Sequence, residues 1–446
     1  MIQPRLTEGP IGRHLFWMAS PIAIGLLANM LMQVLDIWFI SRLGAKPLAA
    51  MGFVFPVAMI FLSLSIGLSA GASSIIARKV PEGNQQGLRR LVTDTQSLSL
   101  LLSVVAAVIG WLTVDPLFRA MGASDNLLPL IHRYMDIFFF SSIVSMLGMS
   151  ALSSMRAMGN AKLQGQAMLA GSAVNAVLDP ILIFGLLGMP RLELQGAALA
   201  SLAARMVSLA IAYRVLHGRM KMLVTPFEAL PVLVRSWTAV LHVALPAVGT
   251  NIIIPVSTAI ITAMLAGYGE DAVAGMGVAG RIEPVMLIAF YALSSVIGPF
   301  VGQNLGRGEL SRVQRGVDLS SLFSLGVGLF LAIALWIFAA PLVALFSDHP
   351  EVIRVATVYL WIVPVSYGCA GVVMVISASF NGVGKPVPAT VISVSRVVIL
   401  YLPLAWLGSL LLGIPGIFAA YALVNLLCAL LGHFWFRSYI ASLRPS

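Results

Sequence analysis

Long apolar runs separated by short polar segments dominate this chain. A helix needs roughly 20 apolar residues to cross the hydrocarbon core of a bilayer, and twelve runs reach that length. They are continuous, without the alternation that a lipid-facing strand requires, so helices are predicted instead of strands. The predicted spans are 15–41, 49–77, 92–114, 130–155, 163–188, 196–216, 242–266, 273–304, 317–340, 357–380, 389–411 and 417–436. The predicted fold class is therefore all-α integral membrane, with twelve transmembrane helices.

The chain also contains an internal repeat at an offset of 225 residues. Matched pairs include Pro21 with Pro246, Gly44 with Gly269, Met51 with Met276, Tyr134 with Tyr359, and Gly159 with Gly384. The repeat predicts two pseudo-symmetric six-helix bundles: an N-terminal lobe at 1–216, a cytoplasmic linker at 217–241 and a C-terminal lobe at 242–446. Because each half has an even number of spans, the halves share one orientation, as in secondary transporters that build a cavity between their halves.

Composition and charge agree with a membrane protein. Of the 446 residues, 59% are hydrophobic and only 10% are charged, which excludes an ordinary soluble domain. Eighteen of the 27 Lys and Arg residues fall in loops on the side of the N-terminus, and six fall in opposite loops. The positive-inside rule then predicts a multi-pass protein of the inner membrane with both termini cytoplasmic. The net charge of +10 is read as this topology signal, and no nucleic-acid partner is expected.

Two polar stripes interrupt the apolar spans, and each contains an aspartate. Ionisable groups are costly in hydrocarbon, so each one calls for a reason. The spacings place each stripe on one helical face. The first stripe consists of Asn29, Gln33 and Asp36, and the second of Ser172, Asn175 and Asp179. Pro21 and Pro180 lie in the same two spans, where a proline permits a kink and can act as a hinge.

Asp36 and Asp179 can form one ion-coupling site. Two carboxylates in a partly buried pocket repel each other when both are ionised, and the pair therefore attracts a proton or a sodium ion. The alternative is that each aspartate only bonds a neighbouring serine, asparagine or arginine. At the repeat offset these positions are Ile261 and Leu404. Acids needed only to hold a six-helix fold should recur there, so we infer a function specific to the N-terminal half.

The second half has its own charged pair in Arg281 and Glu283. Glu283 is interpreted either as a substrate or coupling carboxylate, or as a structural partner of Arg281 or of Arg396. Arg205 and Arg396 are interpreted as structural. The candidate substrate- or cavity-lining residues, besides Glu283, are Asn29, Gln33, Ser172, Arg281, Asn251 and Thr258. Hydroxyl groups in membrane helices, such as that of Thr258, often bond their own backbone.

Other chemistries find no support in the sequence. The six histidines show no ligand spacing, so no metal site is predicted. A phosphate-binding glycine loop is absent, as is a cluster of catalytic residues, so we expect neither an ATP-driven pump nor an enzyme, and no cofactor.

The chain resembles the multidrug and toxic compound extrusion (MATE) family over essentially its whole length. Four stretches carry the resemblance: Thr7–Arg13, Asn175–Pro180, Gly280–Glu283 running on to Val301–Gly306, and Asn381–Pro386. The prokaryotic branch related to DNA-damage-inducible protein F is most similar.

The resemblance implies cation-coupled antiport of cationic or amphipathic small molecules by alternating access. It places the cation site at Asp36, Asp179 and Asn175, with Pro21 as the kinkable proline. Some members add a hydroxyl at the start of the sixth helix, where this chain has Gly196, so we expect H+ coupling, with Na+ as the alternative. A monomer in the lipid bilayer is expected. A lipid-linked saccharide flippase of the same superfamily is the alternative function, although it should need a strongly cationic cavity.

Overall fold

The computed structural model describes residues 6–225 and 230–443, and within these ranges every regular element is a helix. The sixteen α-helices are α1 Ile11–Ser41, α2 Ala45–Lys79, α3 Gln85–Leu112, α4 Val114–Ala120, α5 Leu128–Ala157, α6 Ala161–Phe184, α7 Leu194–Tyr213, α8 Leu230–Ala266, α9 Glu270–Met286, α10 Ile288–Gly306, α11 Leu310–Ala344, α12 Pro350–Ile362, α13 Tyr367–Gly382, α14 Pro386–Val394, α15 Leu402–Leu412 and α16 Ile414–Ser442.

The predicted twelve-span, all-helical architecture is confirmed. Twelve helical stretches among the described residues are long and apolar enough to cross a membrane. Some predicted bounds were wrong. Several helices begin earlier than predicted: α8 starts at Leu230 and α3 at Gln85, where the sequence predicted 242 and 92. An apolar run marks only the part of a helix that needs hydrocarbon, and a helix can continue into a polar region beyond it.

The predicted eighth span, 273–304, is not one helix. It is divided between α9 and α10 at Leu287, whose backbone has φ −84° and ψ 0°. Pro284 lies just before this break and provides no N–H group for the helical hydrogen-bond ladder. The apolar run continues through the break, so hydrophobicity alone could not reveal it.

The two-fold repeat is visible in the backbone. Four pairs of glycines 225 residues apart have similar positive φ angles: Gly44 and Gly269 at 110° and 108°, Gly83 and Gly308 at 73° and 75°, Gly159 and Gly384 at 86° and 77°, and Gly188 and Gly413 at 81° and 66°. Positive φ is readily adopted only by glycine. The same turns therefore recur at the ends of equivalent helices, which confirms the pseudo-symmetric bundles.

Contacts within the chain define two compact units. The first unit extends from Ser20 to Val248, and the second contains the residues from Gly249 onwards together with the N-terminal segment that ends at Ala19. The divisions fall inside α1 and α8, close to Pro21 and Pro246. The predicted lobes at 1–216 and 242–446 and the linker at 217–241 stay a prediction; the contact boundaries lie at other positions.

A few helical segments are much more buried than the others. In the first unit this is α5, and in the second they are α10 and the pair α12 and α13, which is the repeat equivalent of α5. Glycine allows the neighbouring helices to approach closely. In the second unit, Gly328 of α11 lies directly against the backbone of Gly368 in α13.

Replacing Gly328 with alanine should destabilise the second unit. The added Cβ atom would overlap the backbone nitrogen of Gly368, and overpacking of this kind costs about 1–3 kcal/mol. Gly326 lies two residues earlier on the same helix, and a Cβ atom there meets nothing within 4 Å. Thermal unfolding in detergent should show a lower midpoint for Gly328→Ala than for Gly326→Ala. Equal midpoints would contradict this packing.

Candidate functional site

Two helices of the first unit, α1 and α6, provide the candidate site. They run side by side, and glycines bring them together. A Cβ atom at Gly165 would overlap the carbonyl group of Pro21, and one at Gly25 would lie 3.0 Å from the Cβ atom of Met168. The polar side chains that follow on each helix therefore face a neighbour at short range.

The two polar stripes predicted from the sequence meet along this contact. The hydroxyl of Ser172 donates a 2.7 Å hydrogen bond to Asn29 Oδ1. Two turns further along α1, the Asn175 amide donates to Asp36 Oδ1 at 2.9 Å and to Asp179 Oδ2 at 2.8 Å. Asn175 thus uses its two N–H donors to bridge the two carboxyl groups.

The two carboxyl groups are also close to each other. Asp179 is completely buried and Asp36 is half-buried, and their side chains lie within hydrogen-bonding range. The Asp179 Oδ1 atom finds no donor among the described residues. A hydrogen bond between two carboxyl groups needs a proton on one of them, because carboxylate oxygens only accept.

This geometry can hold one proton between two acids. With both groups ionised, two negative charges would lie close together in a partly buried site, which is unfavourable. One proton relieves the repulsion and allows the two carboxyl groups to form a hydrogen bond. The arrangement can therefore bind and release a cation, which is the chemistry predicted for Asp36, Asp179 and Asn175, and their coupling role stays a prediction.

Two residues near the acids were not predicted as part of the site. Tyr134 and Arg205 both lie within electrostatic range of Asp36. Arg205 donates a 3.1 Å hydrogen bond to Ser141, and its guanidinium group lies 5.9 Å from the Phe138 ring centroid. Arg205 is interpreted from the sequence as structural; in the structure it bonds Ser141 and also lies within electrostatic range of Asp36. The available signal was the rarity of arginine within a span.

The remaining predicted residues of the first unit lie where the helical pattern placed them. Pro21 and Pro180 are inside α1 and α6, with Pro180 directly after Asp179. Gln33 lies on α1 between Asn29 and Asp36, and its side chain is exposed. The hinge roles of the prolines and the cavity role of Gln33 stay predictions.

The two candidate cavity residues on α8, Asn251 and Thr258, differ in exposure. The Thr258 hydroxyl donates to its own backbone, to the Ile254 carbonyl oxygen at 3.1 Å, as the less specific interpretation expected. Its side chain is exposed, and Asn251 is half-buried.

In the second unit, Glu283 of α9 is held by a tyrosine. The Tyr359 hydroxyl donates to Glu283 Oε2 at 2.6 Å. Arg396 lies within electrostatic range of the same carboxyl group, and it contacts Asn425 Oδ1 at 3.5 Å. No ion pair joins Arg281 to Glu283 within the described ranges, and the Arg281 side chain is exposed.

Tyr359 is the repeat equivalent of Tyr134, which lies near the acids of the first unit. Each unit thus places at least one carboxyl group near the equivalent tyrosine, although the acids themselves are not at equivalent positions of the repeat. The match between these two tyrosines was visible in the sequence repeat. Only the structure shows that both lie near carboxyl groups.

Comparisons with known proteins agree with this fold. The MatE family model matches residues 21–181 and 246–407, and the two matches begin 225 residues apart. The chain is 36% identical to a Shewanella oneidensis protein named FAD transporter, covering 95% of this chain and 93% of that protein. It is 25% identical to the Bacillus subtilis probable multidrug resistance protein YoeA, covering 92% and 89%.

A solved structure is similar throughout. The Vibrio cholerae MATE transporter VcmN in the bent form has a TM-score of 0.92 and 29% identity, covering 97% of each chain. Twelve spans in a repeat of six, together with these relatives, define a multi-pass membrane transporter and not an enzyme. The chain belongs to the MatE family of transporters. Its place in the branch related to DNA-damage-inducible protein F stays a prediction.

Replacing Tyr359 with phenylalanine should destabilise the second unit, because Glu283 loses its hydrogen-bond donor. A hydrogen bond to a charged group is worth about 1.5–3 kcal/mol. Tyr291→Phe is the matched control, since Tyr291 also lies within electrostatic range of Glu283 without donating to its carboxyl group. Thermal unfolding should show a lower midpoint for Tyr359→Phe only. If both variants have the same unfolding midpoint as the wild type, the Glu283–Tyr359 hydrogen bond does not stabilise the protein.

Proposed function

We propose that this chain exports cationic or amphipathic small molecules across the membrane in exchange for an inward cation, and that this cation is a proton. The bridge formed by Asn175 between Asp36 and Asp179 is the observation that supports the proposal most directly. Relatives named multidrug resistance or multidrug export proteins support the substrate class.

The proposed exchange follows from competition for negative charge. A proton on the acid pair lowers the negative charge that attracts a cationic substrate, and a bound cationic substrate favours the doubly ionised pair. Proton uptake from outside therefore releases substrate outside. Loss of the proton to the inside restores the site for another substrate molecule.

Helix α1 gives this exchange a mechanical consequence. It carries both Asp36 and Pro21, and a proline inside a helix removes one backbone hydrogen bond and favours bending. Protonation changes the hydrogen bonds between Asp36 and α6, and the weak point at Pro21 allows α1 to respond. Pro21 is the proposed hinge of α1 and Pro180 that of α6.

The ligands available near the acids favour a proton over sodium. Sodium needs several oxygen ligands, whereas a proton needs only one acceptor pair. Gly196, Ala197 and Ala198, near the start of α7, carry no side-chain oxygen. Asn175 turns its amide nitrogen towards both acids, which uses donors where a metal cation would require acceptors.

A second candidate substrate is a flavin dinucleotide. The relative named FAD transporter matches over nearly the whole chain. A dinucleotide carries two phosphate charges and would need cationic partners, and Arg205 and Arg396 are positive groups within spans, with Arg281 exposed on α9. With so few arginines in spans, the flippase of pyrophosphate-linked saccharides is the weaker alternative.

Replacing Asp36 with asparagine should abolish gradient-driven transport and leave the fold intact, because the variant retains the shape of the side chain and loses the titratable group. We expect ethidium efflux from proteoliposomes with an imposed pH gradient to fall by about tenfold or more. Asp125→Asn is the matched control, since Asp125 forms an exposed ion pair with Arg119. Full efflux by Asp36→Asn would defeat the proposal.

The same vesicles distinguish the alternatives. A pH gradient alone should drive ethidium efflux and a sodium gradient alone should not; the reverse result would establish sodium coupling. Replacing ethidium with FAD tests the second candidate substrate. Transport of FAD with no transport of ethidium would overturn the proposed substrate class.

A further inference from the structure

Two signature stretches of the sequence, Thr7–Arg13 and Val301–Gly306, have no part in the proposed ion exchange, and the structure brings them together. Both belong to the second unit. The segment before α1 lies against the end of α10 and the beginning of α11. Leu6 is 2% exposed and Gln303 and Asn304 are completely buried, so the segment is anchored in the packed interior at Leu6.

Side chains of α10 and α11 bond the backbone of this segment. Gln303 Oε1 accepts from the Leu6 N–H at 3.4 Å, and the Asn304 amide donates to the Leu6 carbonyl at 3.2 Å. The Arg312 guanidinium donates to the Gly9 carbonyl at 3.0 Å, the Leu6 carbonyl at 3.3 Å and Asn304 Oδ1 at 3.1 Å. We call these five residues the N-terminal clamp.

The clamp acts on backbone atoms and depends on the fork shape of one arginine. Arg312 uses Nε, Nη1 and Nη2 towards three different acceptors, which the single ammonium group of lysine cannot reproduce. Gly9 has φ +77°, a left-handed conformation that glycine adopts without strain, and this turn leads into α1. An exposed ion pair between Arg307 and Glu8, at 3.1 Å, lies beside the clamp.

The clamp holds one end of the helix that carries the proposed coupling acid. The first part of α1, up to Ala19, belongs to the second unit, and from Ser20 onwards α1 belongs to the first unit. Pro21 is the second residue after this division, and Asp36 lies four turns further along. One continuous helix therefore has its start fixed in one unit and its acid in the other.

The first unit holds the chain before α8 and the first turns of α8 itself in a comparable way. The Val224 N–H donates to Thr93 at 3.0 Å, Arg90 donates to the Thr225 carbonyl at 3.2 Å, and the Trp237 indole donates to the Asp94 carbonyl at 3.0 Å. Thr93, Arg90 and Asp94 are on α3, the repeat equivalent of α11. In each case the chain that leads into the first helix of one repeat is held by the third helix of the other. Two independent occurrences make a chance contact a poor explanation.

We propose that Arg312 is a positioning residue of the transport cycle, which fixes the start of α1 to the second unit so that ion binding at Asp36 is transmitted through α1. This inference rests on the proposed ion-coupled export. Without the clamp, the start of α1 is no longer held in the second unit. Protonation of Asp36 can then move α1 without driving net transport. Substrate exchange itself survives, because the clamp does not touch the acid pair.

Arg312→Ala tests this inference against Arg315→Ala. Arg315 is exposed, three residues further along the same helix, and within the described residues its side chain makes no hydrogen bond or ion pair. In Arg312→Ala, hydrogen–deuterium exchange of residues 6–14 should rise. Ethidium accumulation driven by a pH gradient should fall by roughly tenfold, and gradient-free ethidium exchange should stay within about twofold of the wild type. Arg315→Ala should match the wild type in all three measurements.

The outcomes separate the two proposals. If the wild type itself accumulates no ethidium, the proposed function fails, while hydrogen–deuterium exchange still reports on the clamp. If Arg312→Ala releases residues 6–14 and still accumulates ethidium at the wild-type level, the inference about Arg312 is overturned. An equal loss of accumulation and exchange also overturns it, because that result is a structural defect. If the alanine variant does not fold, Arg312→Lys decides by the same comparison, with a smaller loss expected.

Discussion

The account depends on one interaction: the Asn175 amide donates to Asp36 and Asp179 at once, in a site where Asp179 is buried and Asp36 is half-buried. The amide fixes both carboxyl groups within reach of each other but cannot neutralise them, and Asp179 Oδ1 is left without a donor. One proton completes the site, and its loss restores a negative charge that is costly unless a cation replaces it. Every later step of the proposed exchange follows from this constraint.

Most of the surrounding structure can be understood as support for that interaction. Gly165 and Gly25 allow α1 to approach α6 closely. The hydrogen bond from Ser172 to Asn29 joins the same two helices at a point before the acids. Arg205 lies within electrostatic range of Asp36 and adds positive charge to its surroundings. At the other end of α1, the N-terminal clamp holds the start of the same helix through Leu6 and Gly9.

The fold was largely predictable because its signals are local. Apolar runs marked twelve spans, and glycines at a constant offset marked the turns that recur with the same positive φ. Helical spacing also placed each polar stripe on one face of its helix, although the contact between Asn29 and Ser172 came only from the structure. The break at Leu287, the early start of α8 and the bond between Tyr359 and Glu283 were not predictable, because a continuous apolar run conceals a break and tertiary partners have no fixed sequence separation.

The structure limits what can be inferred from the absence of the two aspartates in the second repeat. The absence of acids at Ile261 and Leu404 indicated a function confined to the first half, yet Glu283 places a carboxyl group near the equivalent tyrosine of the second half. The repeat therefore preserves a polar environment and varies the position of the acid.

Whether the acid pair of the first unit is the ion site can be tested most directly by counting protons. Titrating the detergent-solubilised protein with ethidium in weakly buffered solution should release about one proton per substrate bound, as linkage requires. Binding of ethidium with no release of protons would contradict the account.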